Sequence, residues 1–251
     1  MIGAIIGDIV GSRFEFNNTN RTDFELFTEE CSFTDDTICT VAIADAILNL
    51  KSYKDALVEW CQRYPNPKGA YGTNFAKWID NPEPYNSFGN GSAMRVSPIG
   101  WAFDCLGQTM VEAALTAEVS HNHPEGIKGA VIVAVLIQQL RDGAKIQEVN
   151  FRDPYTFDKV DHIRATNTFN ETCQVTVPQA VSCVIEATSF EEAIRLAVSI
   201  GGDSDTIAAI AGSIAEAQWG VPEEIKQKAL AYLPEEMKNI IDQFVTKYGN
   251  K

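Results

Sequence analysis

The chain is short of positive charge. Its 251 residues include 20 lysines and arginines against 34 aspartates and glutamates, a formal net charge of −14. No basic stripe is visible, which argues against nucleic acid or an anionic membrane as a main partner. The acidity also gives a phosphorylated ligand no general attraction, so such a ligand needs local help. Long apolar runs are missing too. The longest, Ala130 to Ile137, is far below the roughly 20 residues that span a bilayer. The apolar start has no cationic flank and is broken by Asp8, so it does not read as a signal peptide. The six cysteines form no C-x-x-C pair and read as free thiols, mostly buried, in a reducing cytoplasm. Histidine is scarcer still. His121 and His123 make a His-x-His pair, but no third nitrogen or thiolate is placed nearby for zinc. There is no P-loop, no dinucleotide fingerprint, no G-x-S-x-G elbow and no H-E-x-x-H. Alternating strand patterns are equally scarce, and Val175 to Val177 is too short to count.

What the chain does have is helical periodicity. Ile207, Ile210, Ala211, Ile214 and Ala215 follow the i, i+3, i+4, i+7 spacing, and only Glu216 is charged between Thr206 and Trp219. That pattern predicts a helix nearly surrounded by protein. Thr37 to Leu50 and Lys128 to Leu140 read the same way. Ser189 followed by Glu192 forms a capping box ahead of another helix. Pro222 and Pro234, each followed by two glutamates, mark the starts of two C-terminal helices. With 45 % hydrophobic residues the chain can build a sizeable core. The expectation is an all-α protein of ten or more helices in one compact domain over residues 1–251. Loops are expected over 13–33, 64–72 and 81–92.

Two acidic clusters, Thr34-Asp35-Asp36 and Asp203-Ser204-Asp205-Thr206, each open one of these helices. A single Thr or Asp suffices to cap a helix. A run of them is surplus to capping, and adjacent like charges call for a compensating cation or a raised pKa. Together the clusters offer four carboxylates and several hydroxyls, hard oxygen ligands that suit Mg²⁺ or Mn²⁺. An EF-hand does not fit, because the sixth and twelfth positions counted from Asp203 are Ala208 and Ile214.

Three further features accompany them. Gly89-Asn90-Gly91-Ser92 lets backbone N–H groups approach a ligand, Ser92 could donate to a phosphate, and Arg95 adds charge. Glu15 stands between Phe14 and Phe16, and a carboxyl in an apolar niche can serve as an acid or base. His121 or His123 could face a ligand.

In this order the motifs resemble the ADP-ribosylglycohydrolase family, which includes the dinitrogenase reductase-activating glycohydrolases. The residues that carry the resemblance are Gly7-Asp8-x-x-Gly11 with Glu15, Phe33-Thr34-Asp35-Asp36-Thr37, Gly89-Asn90-Gly91-Ser92-x-Met94-Arg95, His121 with His123-Pro124, Val177-Pro178-Gln179-Ala180, and Gly201 through Ala209. The resemblance implies a compact orthogonal multi-helix bundle with two Mg²⁺ or Mn²⁺ ions. It implies Thr34, Asp35, Asp36, Asp203, Asp205 and Thr206 as metal ligands, and Asn90, Gly91, Ser92, Met94 and His121 as substrate-binding residues. Glu15, Asp36 and Asp205 are the expected catalytic residues, Glu15 handling proton transfer. The implied substrate is an ADP-ribosylated protein, arginine-linked first, or a small ADP-ribose conjugate. Two other readings stand beside it: another Mg²⁺- or Mn²⁺-dependent small-molecule hydrolase, or a non-catalytic ADP-ribose-binding protein on the same fold.

Overall fold

Among the described residues helix is the only regular structure of any length. The computed structural model describes residues 1–149 and 155–249. Among them run α1 (Ile2–Gly11), α2 (Asp35–Asn49), α3 (Tyr53–Arg63), α4 (Thr73–Asp80), α5 (Gly91–Met94), α6 (Ser97–Ala102), α7 (Leu106–Glu118), α8 (Pro124–Arg141), α9 (Val160–Thr166), α10 (Cys173–Glu186), α11 (Phe190–Ser199), α12 (Ser204–Trp219), α13 (Glu223–Leu230) and α14 (Glu235–Tyr248), with a 3₁₀ turn at Ile146–Glu148. The expected all-α multi-helix bundle is what forms. β-Pairing among the described residues is limited to two isolated bridges, Thr34 with Lys68 and Gly89 with Thr172. No helix among them is long and apolar enough to cross a membrane. One hydrophobic cluster extends from Met1 to Phe244.

The strongly periodic segments fold as read, with small shifts. α2 ends at Asn49, followed by Leu50 in the left-handed region at φ 54°. α8 starts at Pro124, four residues before the expected start. Ser189 caps α11 by accepting from the Glu192 N–H at 3.2 Å. The reciprocal arm of the capping box goes one residue further out: the Glu192 carboxylate accepts from the N–H (2.8 Å) and hydroxyl (2.5 Å) of Thr188. Val175 to Val177 lies inside α10. Five of the six cysteines are buried and free, and the sixth, Cys105, is exposed.

The pairing of α1 with α12 positions the site. Every residue of α1 is buried, and its start is held by Glu216 of α12, which accepts from the Gly3 N–H at 2.8 Å. Gly3, Gly7 and Gly11 recur every four residues and so line one face. That face lies on the backbone of α12. A Cβ on Gly7 would come within 1.9 Å of the Ala208 carbonyl oxygen, and one on Gly11 within 2.5 Å of the Asp205 Cα. This close approach brings the start of α12 beside the end of α1. It also supplies a first prediction. Gly7→Ala gains roughly 1 kcal/mol in helix propensity. The clash with main chain outweighs that, because overpacking a rigid contact costs about 3 kcal/mol or more. The net loss of about 2 kcal/mol or more should lower the melting temperature by about 4–8 °C or more, at about 2–4 °C per kcal/mol for a chain of this size. An unchanged or higher melting temperature in calorimetry would show that α1 and α12 are not in backbone contact.

Candidate active site

α2 begins where it does because Asp8 on α1 organises its first turn. The buried Asp8 carboxylate accepts four hydrogen bonds: from the N–H and hydroxyl of Thr34 (3.0 and 2.7 Å) and from those of Thr37 (3.1 and 2.5 Å). Burial still dominates and pushes Asp8 up to about 6. Thr34 gives its hydroxyl proton to Asp8 while accepting from the Asp36 N–H at 3.2 Å. Asp35 and Asp36 are thereby set on the first turn of α2, facing a cleft.

The turn before α12 is made by two successive residues that glycine suits. Gly201 and Gly202 have φ of 69° and 78°, a left-handed conformation that costs other residues about 1 kcal/mol or more each. Asn18 clamps this turn from the loop after α1: it accepts from the Gly202 N–H (2.9 Å) and donates to the Gly202 carbonyl (3.0 Å) and Ser204 hydroxyl (3.1 Å). Asp203 is then directed at the Asn90 amide, which donates to its Oδ2 at 2.6 Å and to the Thr176 hydroxyl at 3.1 Å. Thr206 donates to Asp36 Oδ2 at 3.2 Å. Two clusters 170 residues apart in sequence therefore meet across one gap.

The gap opens into a cleft of about 630 Å³, within the range of small-molecule sites. Asp35, Asp36, Asp203, Asp205 and Thr206 line it, together with Glu15, Asn90, Gly91, Met94 and His121. One oxygen each from Glu15, Asp203 and Asp205 lies within 4.8 Å of the others. Asp36 Oδ1, Asp205 Oδ1 and Glu15 Oε2 are buried with no hydrogen-bond partner among the described residues. Such orphaned acceptors are costly unless something positive sits between them. Burial, and then the surrounding carboxylates, push Asp36 and Asp205 well above the usual carboxylate range. Asp35 is raised well above it by burial and by Asp8 and Asp203. Glu15 is pushed up to about 7 by burial, then by Asp203, Asp8 and Glu171, with Lys68 opposing. Hard, buried, mutually repelling oxygens of this kind fit divalent cations that prefer oxygen shells.

Two expected site residues do not line the cleft. Ser92 is fully buried, absent from the cleft lining, and its hydroxyl donates to the Gly126 carbonyl at 2.7 Å. Its hydroxyl thus fastens α5 to the start of α8 and is turned away from the cleft. Thr34 is fully buried and likewise not in the lining, its Oγ1 held between the Asp8 carboxylate and the Asp36 N–H. His123 caps α8, accepting from the Glu125 N–H at 3.1 Å. Other residues of the cleft had no signal in the sequence. Tyr71, Tyr85, Phe169 and Glu171 line it from loops, without periodicity or motif. Phe169 stacks at 6.2 Å on Phe16, which the sequence offered only as a neighbour of Glu15.

Residues 1–251, the whole chain, match the model of a family described as ADP-ribosylglycohydrolase. The human protein ADP-ribosylhydrolase ARH3 is 26 % identical over 321 aligned positions, which cover 92 % of this chain and 88 % of that protein. ADP-ribosylarginine hydrolase Tri1 of Pseudomonas putida (strain GB-1) is 25 % identical over 266 positions, covering 88 % and 70 %. A solved structure described as an ADP-ribosylglycohydrolase-related protein complex superposes with a TM-score of 0.72 at 19 % identity, covering 98 % of this chain and 96 % of that one. The likeness to that structure is one of fold. The 321 positions aligned with the human protein exceed the 251 residues here, so that relative carries insertions this chain lacks.

Proposed function

This chain belongs to the ADP-ribosylglycohydrolase family, and we propose that it hydrolyses the bond between the anomeric carbon of ADP-ribose and a modified acceptor, an arginine side chain before others. The observation that carries this reading is the convergence of Asp35, Asp36, Asp203, Asp205, Thr206 and Glu15 on one cleft, with three carboxylate oxygens left unpartnered. Two Mg²⁺ or Mn²⁺ ions would be held by Asp35, Asp36, Asp203, Asp205 and Thr206, with Thr34 as a sixth oxygen. Thr34 is suited to this because a hydroxyl that ligates a cation must turn its proton away, and Asp8 already takes that proton. Bound there, the ions would orient ribose hydroxyls and polarise a water.

The chain's own residues then have distinct tasks. Cleavage at an anomeric carbon passes through an oxocarbenium-like state that needs a protonated leaving group. Glu15, held near neutrality by its apolar and acidic surroundings, supplies that proton. Asn90 holds Asp203 in place. Gly89 and Gly91 leave room for the diphosphate against the main chain, with Met94 and His121 completing the wall. Support for an arginine acceptor comes from the name of the Pseudomonas relative and from Glu171, a further carboxylate in the lining, which suits a cationic guanidinium.

The test is a panel of defined arginine- and serine-linked ADP-ribosyl substrates, assayed with and without chelator. The expected result is free ADP-ribose, released fastest from arginine, reduced to background by EDTA and restored by Mg²⁺ or Mn²⁺. Release of orthophosphate instead, or no release from any member with either ion, would overturn the reading.

A further inference from the structure

His121 meets the cleft with one face only. Its backbone N–H is bonded to the Ala117 carbonyl at the end of α7 (2.7 Å), and its ring is walled by Phe75 and Tyr85, with centroids 6.3 and 5.9 Å away. Nδ1 lies 2.7 Å from the Ser120 hydroxyl oxygen. Nε2 faces the Gly89-Asn90-Gly91 turn, where a Cβ on Gly91 would stand 3.0 Å from it and one on Gly89 3.5 Å. Among the described residues only Nδ1 of this ring is hydrogen-bonded.

Behind Ser120 stands Arg95, wholly buried, whose Nη2 donates to the Thr116 carbonyl (2.8 Å) and to Ser120 Oγ (2.9 Å). A guanidinium can only donate, so Ser120 Oγ must accept from it. Ser120 is itself fully buried, and its own hydroxyl hydrogen needs an acceptor. His121 Nδ1 is the partner the structure gives it. The donors therefore run one way, from Arg95 to Ser120 to Nδ1, which must be bare, and the ring proton belongs on Nε2. An imidazolium would set Nδ1–H against the Ser120 hydrogen. Burial, and then the Arg95 charge, hold His121 well below its ordinary range, which keeps the ring neutral.

We propose that Arg95 and Ser120 are positioning residues that lock His121 in its neutral Nε2–H tautomer, so that the cleft presents a fixed donor to an acceptor oxygen of ADP-ribose beside Gly89 and Gly91. The identity of the ligand rests on the functional reading above; the tautomer does not. The need for such a device follows from the charge of the site. Among the described residues Arg95 is the one arginine or lysine in a lining that holds six carboxylates. In the other tautomer His121 would turn a lone pair on an anionic ligand already surrounded by acids.

The tautomer can be read directly from long-range ¹H–¹⁵N spectra of protein labelled at histidine, with His121→Asn identifying its signals. Wild type should show a single Nε2–H tautomer before any ligand is added. Ser120→Ala should show mixed tautomers, with the dissociation constant for ADP-ribose and KM both rising about three- to tenfold, the worth of one neutral hydrogen bond. Its kcat should stay within about twofold, since the contact serves ground and transition states alike. Ser120→Thr should restore both tautomer and affinity. An Nδ1–H or imidazolium signal in wild type at neutral pH overturns the lock. So does a Ser120→Ala protein that keeps the single tautomer. A variant with mixed tautomers and unchanged affinity overturns the role in binding. A wild type with the expected tautomer that binds no ADP-ribose upholds the lock and refutes the functional reading instead.

Discussion

Replacing Asp205 with asparagine is expected to lower the rate of ADP-ribose release about a thousandfold or more and, in protein stripped of divalent cations, to raise the melting temperature. The two effects have one source. Asp205 is buried among Asp203, Asp36, Glu15 and Asp8, and burial followed by those neighbours raises its pKa well above the usual carboxylate range. A carboxyl raised in the folded state contributes stability below its unfolded pKa of about 4 and loses it as pH rises through the folded value. Above its unfolded pKa Asp205 therefore opposes folding of the ion-free protein, whether through its buried charge or through the proton that folding must take up. Asparagine removes the charge, keeps the shape, and can donate to the carboxylates around it. A gain of at least about 1 kcal/mol, or about 2–4 °C, is expected. Under the proposed reading the same charge helps to hold the cations, and losing several kcal/mol of their action on the reaction amounts to the thousandfold rate loss.

Adding Mg²⁺ or Mn²⁺ should reverse the order of stability. Ligand that binds only the folded state stabilises it by about 2.7 kcal/mol at a hundred times its dissociation constant. Wild type should take up that stabilisation and the variant should lose most of it. Two melting curves that cross on titration with metal are thus the signature. If the ion-free variant melts below wild type, the orphaned oxygen of Asp205 has a protein partner rather than a cation site. If it keeps full metal-dependent turnover, Asp205 is no ligand.

The parts of this design that could be read from the chain are those written in local chemistry. α2, α8 and α12 announce themselves by long periodic apolar stretches, and the acidic clusters at two of their starts exceed what a cap requires. α1 does not announce itself. It is apolar on all sides and has glycine at every fourth position, which local propensity counts against a helix. Its helicity depends on α12 lying against those glycines, a contact some 200 residues distant. The same holds for Asp8, which reads as an acid in an apolar stretch until Thr34 and Thr37 are seen to donate to it. Ser92 shows the converse. A hydroxyl after a glycine-rich turn looks available to a ligand, yet the fold gives it to Gly126. Asn18 and Glu171 were invisible for a further reason: their loops follow tertiary bonds, such as that from Asn18 to Gly202, and leave no pattern in sequence.

Glu15→Gln is expected to lower kcat/KM about 10²- to 10⁴-fold, the range of a lost general acid, while leaving the fold and metal uptake nearly intact. Gln is nearly isosteric, and the loop is held independently by Asn18 and by the Arg13 guanidinium on the Glu25 carbonyl. What the variant lacks is a proton to give. The carboxyl lies against Gly69, where a Cβ would stand 2.6 Å from Oε2, and burial among acids raises it to about 7 without cations. Cations on Asp203 and Asp205 would favour the ionised form, so in the working enzyme its pKa lies at or below that value. A general acid works when protonated. Wild-type kcat/KM should therefore fall as pH rises through this value, and that limb should be absent from Glu15→Gln. The sharper discrimination comes from the leaving group. An arginine guanidinium leaves only with proton assistance, whereas a nitrophenolate does not need it. Most of the deficit should vanish with a nitrophenyl ADP-riboside. An equal loss on both substrates would assign Glu15 to the attacking water instead, and undiminished turnover on the arginine conjugate would remove it from the chemistry altogether.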